Sequence, residues 1–153
     1  MVNGWLYAGS LMLQFPPHTN QCDTFMSTLF NTVPTSDPLN FWANQGLDYS
    51  GVSKFLDFDT EELSKLGGVS RKSVRLDERI PRELKERLEQ IANICNLVAE
   101  FFDGDPIRTA LWFRTPNPML GDISPREMIR VGRYKRLQKF VMQAREDNAA
   151  SAA

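Results

Sequence analysis

Residues 81–104 read PRELKERLEQIANICNLVAEFFDG, and this stretch decides the fold class. Leu84, Leu88, Ile91, Cys95, Val98 and Phe102 recur by fours and threes, and Ile94 and Phe101 widen the apolar stripe. Such spacing puts all of them on one face of an α-helix. Pro81 suits the first turn and Gly104 ends the helix, so the pattern predicts one long helix over 81–103. Its other face, with Arg82, Glu83, Lys85, Glu86, Arg87 and Glu89, is a solvated surface of mixed charge. The repeat is too short for a coiled coil, so this is core scaffold, with Cys95 as a small buried hydrophobe.

Downstream, Asp105-Pro106 opens a second helix by the usual cap and first-position preferences, and Ile107, Ala110, Leu111 and Trp112 populate it. Thr115-Pro116-Asn117-Pro118 breaks that helix, and Met119-Leu120-Gly121-Asp122 makes a turn. Ser124-Pro125-Arg126-Glu127 then carries every mark of a helix start: a Ser cap, Pro in the first position and Glu in the third. Met128 and Ile129 are apolar and Gly132 interrupts. A last helix is expected to about Glu146, with Leu137, Phe140, Val141 and Ala144 inward and Arg133, Lys135, Arg136, Lys139 and Arg145 outward. Residues 148–153 read as a mobile tail.

Upstream, Val52, Phe55 and Leu56 sit at helical spacing on a short first helix. Asp59 and Glu62 form a capping-box pattern for a helix over Thr60–Leu66, which Gly67-Gly68 stops. Ser70 can cap again, and Arg71-Lys72-Ser73-Val74-Arg75 reads as the start of another helix. Helix, glycine turn and helix opening on exposed cations is the grammar of a helix-turn-helix over residues 47–80. In that geometry Arg71, Lys72, Ser73 and Arg75 would meet phosphates or base edges of DNA. The same features also fit a plain helical hairpin with a solvated basic face. Asp57, Asp59, Glu61, Glu62, Asp77 and Glu78 offset the local cations, so DNA binding would need an oligomer.

Charge marks a boundary further upstream. Residues 1–53 carry no Lys or Arg and three acids, whereas the rest holds all eighteen basic residues and sixteen acids. With Pro16, Pro17, Pro34 and Pro38 scattered there, residues 1–46 read as an arm or loose extension. Its apolar stretch Trp5–Phe15 lacks a basic leader and is too short to span a bilayer. Met26 offers a second start.

Across its 153 residues the chain is 42% hydrophobic with a net charge of −1, too apolar for disorder and without a global field for polyanions. Cys22 and Cys95 form no CxxC pattern, and His18 is the single histidine. A disulfide framework, a metal site and a His-dependent triad are therefore not expected, and a reducing cytoplasm is the natural compartment. No Gly-rich phosphate loop, HExxH or GxSxG motif appears, so neither catalysis nor a cofactor is expected.

The ordered set Ala110-Leu111-Trp112, Pro116-Asn117-Pro118-Met119-Leu120-Gly121, Ser124-Pro125, Met128-Ile129 and Gly132 resembles the Xre/MbcA/ParS toxin-binding domain of antitoxins. That domain has a tryptophan helix, an Asn-Pro-x-Leu-Gly turn, a Ser/Thr-Pro-capped helix and a glycine-preceded final helix. The preceding helix-turn-helix and long helix follow the family's order, so the resemblance spans roughly 48–145. It implies an all-α protein: a helix-turn-helix module, then a toxin-binding domain over 81–147. It also implies an antitoxin that occludes the NAD site of a RES-domain toxin, an ADP-ribosyltransferase-like NAD-consuming partner. Such antitoxins commonly bind their own operator DNA through the N-terminal module, and the offset charges there make a homo-oligomer the expected form on DNA.

The toxin-binding residues implied are Trp112, Asn117, Pro118, Leu120, Gly121, Ser124, Pro125, Met128, Ile129, Gly132, Arg133, Tyr134 and Arg136. Each taken alone also reads as core, turn or cap. The other functional reading is a stand-alone helix-turn-helix repressor whose C-terminal helices only oligomerise. A physical argument favours a surface role for the end of the chain. Arg126, Arg130, Arg133, Lys135, Arg136, Lys139 and Arg145 crowd together with only Glu127 as counter-charge before Glu146. Such a face repels itself unless it meets water, anions or an acidic partner.

Overall fold

A computed structural model describes residues 5–8, 11–14, 36–43 and 46–152. His18, Cys22 and Met26 lie outside the described residues, as does most of the expected arm. The protein is all-α. Its helices are α1 (Tyr49–Phe55), α2 (Thr60–Gly67), α3 (Arg82–Glu100), α4 (Pro106–Arg114), α5 (Pro125–Arg130) and α6 (Tyr134–Ser151). Two small antiparallel hairpins precede them: β1 (Trp5–Ala8) with β2 (Leu11–Gln14), and β3 (Trp42–Ala43) with β4 (Gly46–Leu47). Strand β1 runs beside α4 and the short turn at 118–120.

Helix α3 is the central beam. Leu84, Leu88, Ile91, Cys95 and Val98 are fully buried on its expected stripe, and α1, α2, α4 and α6 all pack against it. Burial pushes the Cys95 thiol far above its ordinary pKa, which keeps it protonated and unreactive. One continuous hydrophobic cluster runs from Phe41 to Ala144, so the two modules read from the sequence share a single core. An aromatic chain helps to join them: Phe41 meets Phe55 edge-on, Phe55 meets Phe113, and Phe113 meets Trp112.

Local signals set most helix starts. Asp59 and Glu62 form the reciprocal capping box, and the N–H that Glu62 donates holds the Asp59 carboxyl below its ordinary pKa. Asp105 caps α4 by accepting from the N–H groups of Ile107 and Arg108, and Ser124 caps α5 by accepting from Glu127. Gly67 stays inside α2 for a reason the sequence hid. A Cβ there would lie 2.9 Å from the Leu84 Cβ, so its bareness lets α2 close onto α3.

Three boundaries differ from the sequence reading. Residues 37–43, read from the sequence as part of the arm, are tied into the folded body. Asp37 accepts the N–H groups of Phe41 and Trp42, and Asn96 of α3 holds Asp37 and the Leu39 N–H from below. Phe41 and Leu47 are buried there, and no charge pattern in the sequence reports that anchoring. At the other end, α6 continues to Ser151 instead of ending near Glu146, because Asn148, Ala149 and Ala150 do not interrupt a helix.

The third correction concerns residues 70–80. No second helix of a helix-turn-helix forms: Arg71–Ser73 is a single 3₁₀ turn and Val74 is already extended. The Ser70 hydroxyl pairs with the Ser73 hydroxyl instead of capping. Val74 and Leu76 lean on the core at the two-residue period of an extended chain, Ile80 joins them after a turn closed by its N–H onto the Asp77 carbonyl, and Pro81 disfavours helix at Ile80.

Candidate functional site

The residues singled out at 71–75 are all exposed but are not presented by a helix. The Arg71 guanidinium lies 3.8 Å from Glu61 and that of Arg75 lies 3.8 Å from Asp77, while Lys72 has no ion pair among the described residues. Lys65 is the nearer partner of Glu61, and with Arg71 it holds that carboxyl below its ordinary range. The segment is a loop with its charge largely balanced.

The C-terminal set divides into a buried and an exposed part. Trp112, Asn117, Met128 and Ile129 have no exposed surface, and Leu120, Pro125 and Tyr134 are also buried. As direct contacts for a partner these seven are corrected to interior residues. Trp112, Pro125, Met128, Ile129 and Tyr134 occupy inward positions of α4, α5 and α6, and Asn117 and Leu120 those of the turn between α4 and α5. The Tyr134 hydroxyl accepts from Arg87, whose guanidinium lies 4.8 Å above its ring. Pro118, Gly121, Gly132, Arg133 and Arg136 are exposed, and Ser124 is half-buried in its capping role.

Asn117 is the organiser of the turn between α4 and α5. Its N–H donates to the Ile123 carbonyl at 3.1 Å, its carbonyl accepts from Leu120 and Asp122, and its Oδ1 accepts from the Met119 N–H at 2.9 Å. The Gly121 N–H closes onto Pro118, and Gly121 takes a φ of 87°. Fixed from inside in this way, the turn holds Pro118, Met119 and Gly121 outward. Among the described residues the Asn117 Nδ2 and the Trp112 Nε1 are buried without hydrogen-bond partners.

Sequence reasoning missed a surface. Within residues 36–43 and 46–152, every large hydrophobic side chain left exposed belongs to the C-terminal half: Ile107, Leu111, Met119, Val131 and Met142. Ile107 is 79% exposed, and Leu111, one turn later, is 58% exposed. Their i, i+4 spacing was legible as one helix face, but not that this face looks away from the core. Apolar side chains held outward on a rigid scaffold are what binding surfaces supply as anchors.

The basic face is also smaller than the sequence suggested. Arg126 is a structural tie: its guanidinium donates to the carbonyls of Leu56 and Asp57, both at 2.6 Å, and pairs with buried Glu62. Arg130 binds Glu127 at 2.7 Å and Arg145 reaches Glu100 of α3 at 3.6 Å. Glu62 and Glu100 are counter-charges from distant parts of the chain. Arg133, Lys135, Arg136 and Lys139 remain, exposed and without an ion pair among the described residues.

Among the described residues no group of three His, Cys, Asp or Glu is placed to hold a metal, and no helix is long and apolar enough to cross a membrane. In comparisons with protein-family patterns, curated proteins and solved structures, the chain matches none of them.

Proposed function

We propose that this protein is an antitoxin: a binding protein without chemistry of its own, which neutralises a RES-domain toxin by covering its NAD site from the C-terminal half of the chain. One observation carries the reading. The exposed large hydrophobics all fall within residues 107–142, on either side of a turn that Asn117 holds from inside in the stretch where the resemblance puts the toxin contact. Met119 with Ile107 and Leu111 supplies apolar anchors, while Pro118 and Gly121 shape the turn. Arg133 and Arg136 act at the rim, where charge mainly governs encounter. The buried residues of the resemblance hold this surface from beneath. Operator binding and self-assembly belong to the same proposal; the single 3₁₀ turn at Arg71–Ser73 speaks against operator contact through residues 71–75, whether the chain is an antitoxin or a stand-alone repressor.

The test is co-expression in bacteria with a RES-domain toxin encoded beside this chain. The full-length chain should restore growth. Met119→Glu combined with Ile107→Glu should abolish rescue while leaving the circular dichroism spectrum and melting temperature intact. Replacing Arg71, Lys72 and Arg75 together should not affect rescue. Failure of the unaltered chain, or full rescue by the double variant, would overturn the proposal.

A further inference from the structure

The four unpaired cations at the start of α6 form a site of their own. Residues 128–145 contain no Asp or Glu, and Arg133, Lys135, Arg136 and Lys139 are all exposed within that window. On the helix, Lys135, Arg136 and Lys139 fall within about 100° of arc, and the strip beginning at Arg133 runs about 9 Å along the axis. The first turn of α6 holds no acid and Arg133 makes no side-chain cap, so these cations stand at the positive end of the helix dipole and repel one another. Among the described residues no carboxylate pairs with these four, whereas Arg126, Arg130 and Arg145 nearby are each matched to one.

We infer that this strip binds the phosphate backbone of a nucleic-acid duplex. A protein partner is the weaker fit, since protein interfaces are poor in Lys and are anchored by aromatic side chains. The aromatic residue here, Tyr134, is buried beneath Arg87. Val131 and Met142 flank the strip, but no aromatic side chain there is exposed, and a row of guanidinium and ammonium groups matches repeated phosphates, which such groups grip without reading sequence. The duplex contact therefore moves from the loop at 71–75 to α6. Arg133 and Arg136 also stand at the rim of the proposed toxin surface, so duplex and toxin would compete for them, and the inference is tested on the protein alone.

The experiment is a fluorescence-anisotropy titration of a labelled duplex of arbitrary sequence with the full-length chain. Four phosphate contacts predict a log–log salt slope of about −3.6, or roughly a 150-fold loss of affinity between 50 and 200 mM salt. Changing Arg133, Lys135, Arg136 and Lys139 to Gln should remove most of the binding and flatten the slope. An equal-charge control with Lys54, Lys72, Arg79 and Lys85 changed to Gln should keep at least three-quarters of the slope, roughly −2.7 or steeper. Circular dichroism verifies that both variants fold. Absence of binding at the lowest salt, or an equal loss in the control, would overturn the inference. So would tighter binding of poly-glutamate than of duplex, which would assign the strip to an acidic protein.

Discussion

Arg126 should be among the costliest charged residues of this protein to remove, although it stands in a stretch that reads as a solvated basic face. Its guanidinium serves three elements at once. It donates to the carbonyls of Leu56 and Asp57 at the end of α1, pairs at 3.2 Å with Glu62 of α2, and lies 5.6 Å from the centre of the Phe58 ring. The side chains of Arg126 and Glu62 are only 23% and 10% exposed. Breaking a buried pair by removing one partner costs about 3–5 kcal/mol. Glu62 would keep the Asp59 N–H, and Arg130 at 3.9 Å gives partial relief. A loss of about 3 kcal/mol is therefore expected for Arg126→Ala, at the lower end of the range for a broken buried pair. Urea unfolding should show it as a midpoint lower by about 1.5 M with an unchanged slope, taking a slope near 2 kcal/mol per molar. Arg126→Lys should recover only part, because an ammonium cannot fork between two carbonyls and a carboxylate. In a double-mutant cycle with Glu62→Gln the coupling should exceed about 1 kcal/mol. A loss below that figure for Arg126→Ala, or simple additivity in the cycle, would refute the reasoning.

Gly67→Ala should destabilise the protein by about 1–2 kcal/mol in chemical denaturation: overpacking against Leu84 at 2.9 Å outweighs the gain in helix propensity. Gly132 has a φ of 77° and open space around a built Cβ, so Gly132→Val costs backbone strain alone. Thermal melts should therefore rank Gly above Asn above Val at that position. The Tyr49 hydroxyl donates to Glu89 at 3.2 Å, and its pKa is pushed up to about 12, first by burial and then by the charge of Glu89. The folded value lies above the unfolded one, so the contribution of Tyr49 is complete below about pH 10 and disappears between there and about pH 12. Stability should fall across that window more steeply in the native protein than in Tyr49→Phe; parallel curves would show that the phenol contributes nothing.

The sequence reported most faithfully on features that act within a few residues. The capping box at Asp59 and Glu62, the Asp105-Pro106 and Ser124-Pro125 helix starts and the stripe on α3 all satisfy local backbone needs, and each is present. Features that depend on distant partners were hidden. Arg126 finds Glu62 across 64 residues, and Asp37 finds Asn96 across 59. The loop at 70–80 was misread because serine followed by cations imitates a helix start. The alternation of Val74 and Leu76 toward the core was the better signal, and Pro81 supports it. At the candidate site, the turn at 117–121 was legible from Asn, Pro and Gly. Which neighbours face inward was not, since Trp112 and Leu111 are adjacent in sequence and opposite in exposure.

An exposed apolar surface around Met119 is proposed to shut the active site of an NAD-consuming toxin. It is tested most directly by titrating purified full-length protein into a RES-domain toxin encoded beside it while following NAD consumption. The account predicts that activity falls to the background at a fixed stoichiometric ratio, and that Met119→Glu with Ile107→Glu raises the protein needed by at least tenfold. Undiminished NAD consumption at excess protein would contradict it, as would equal inhibition by the double variant.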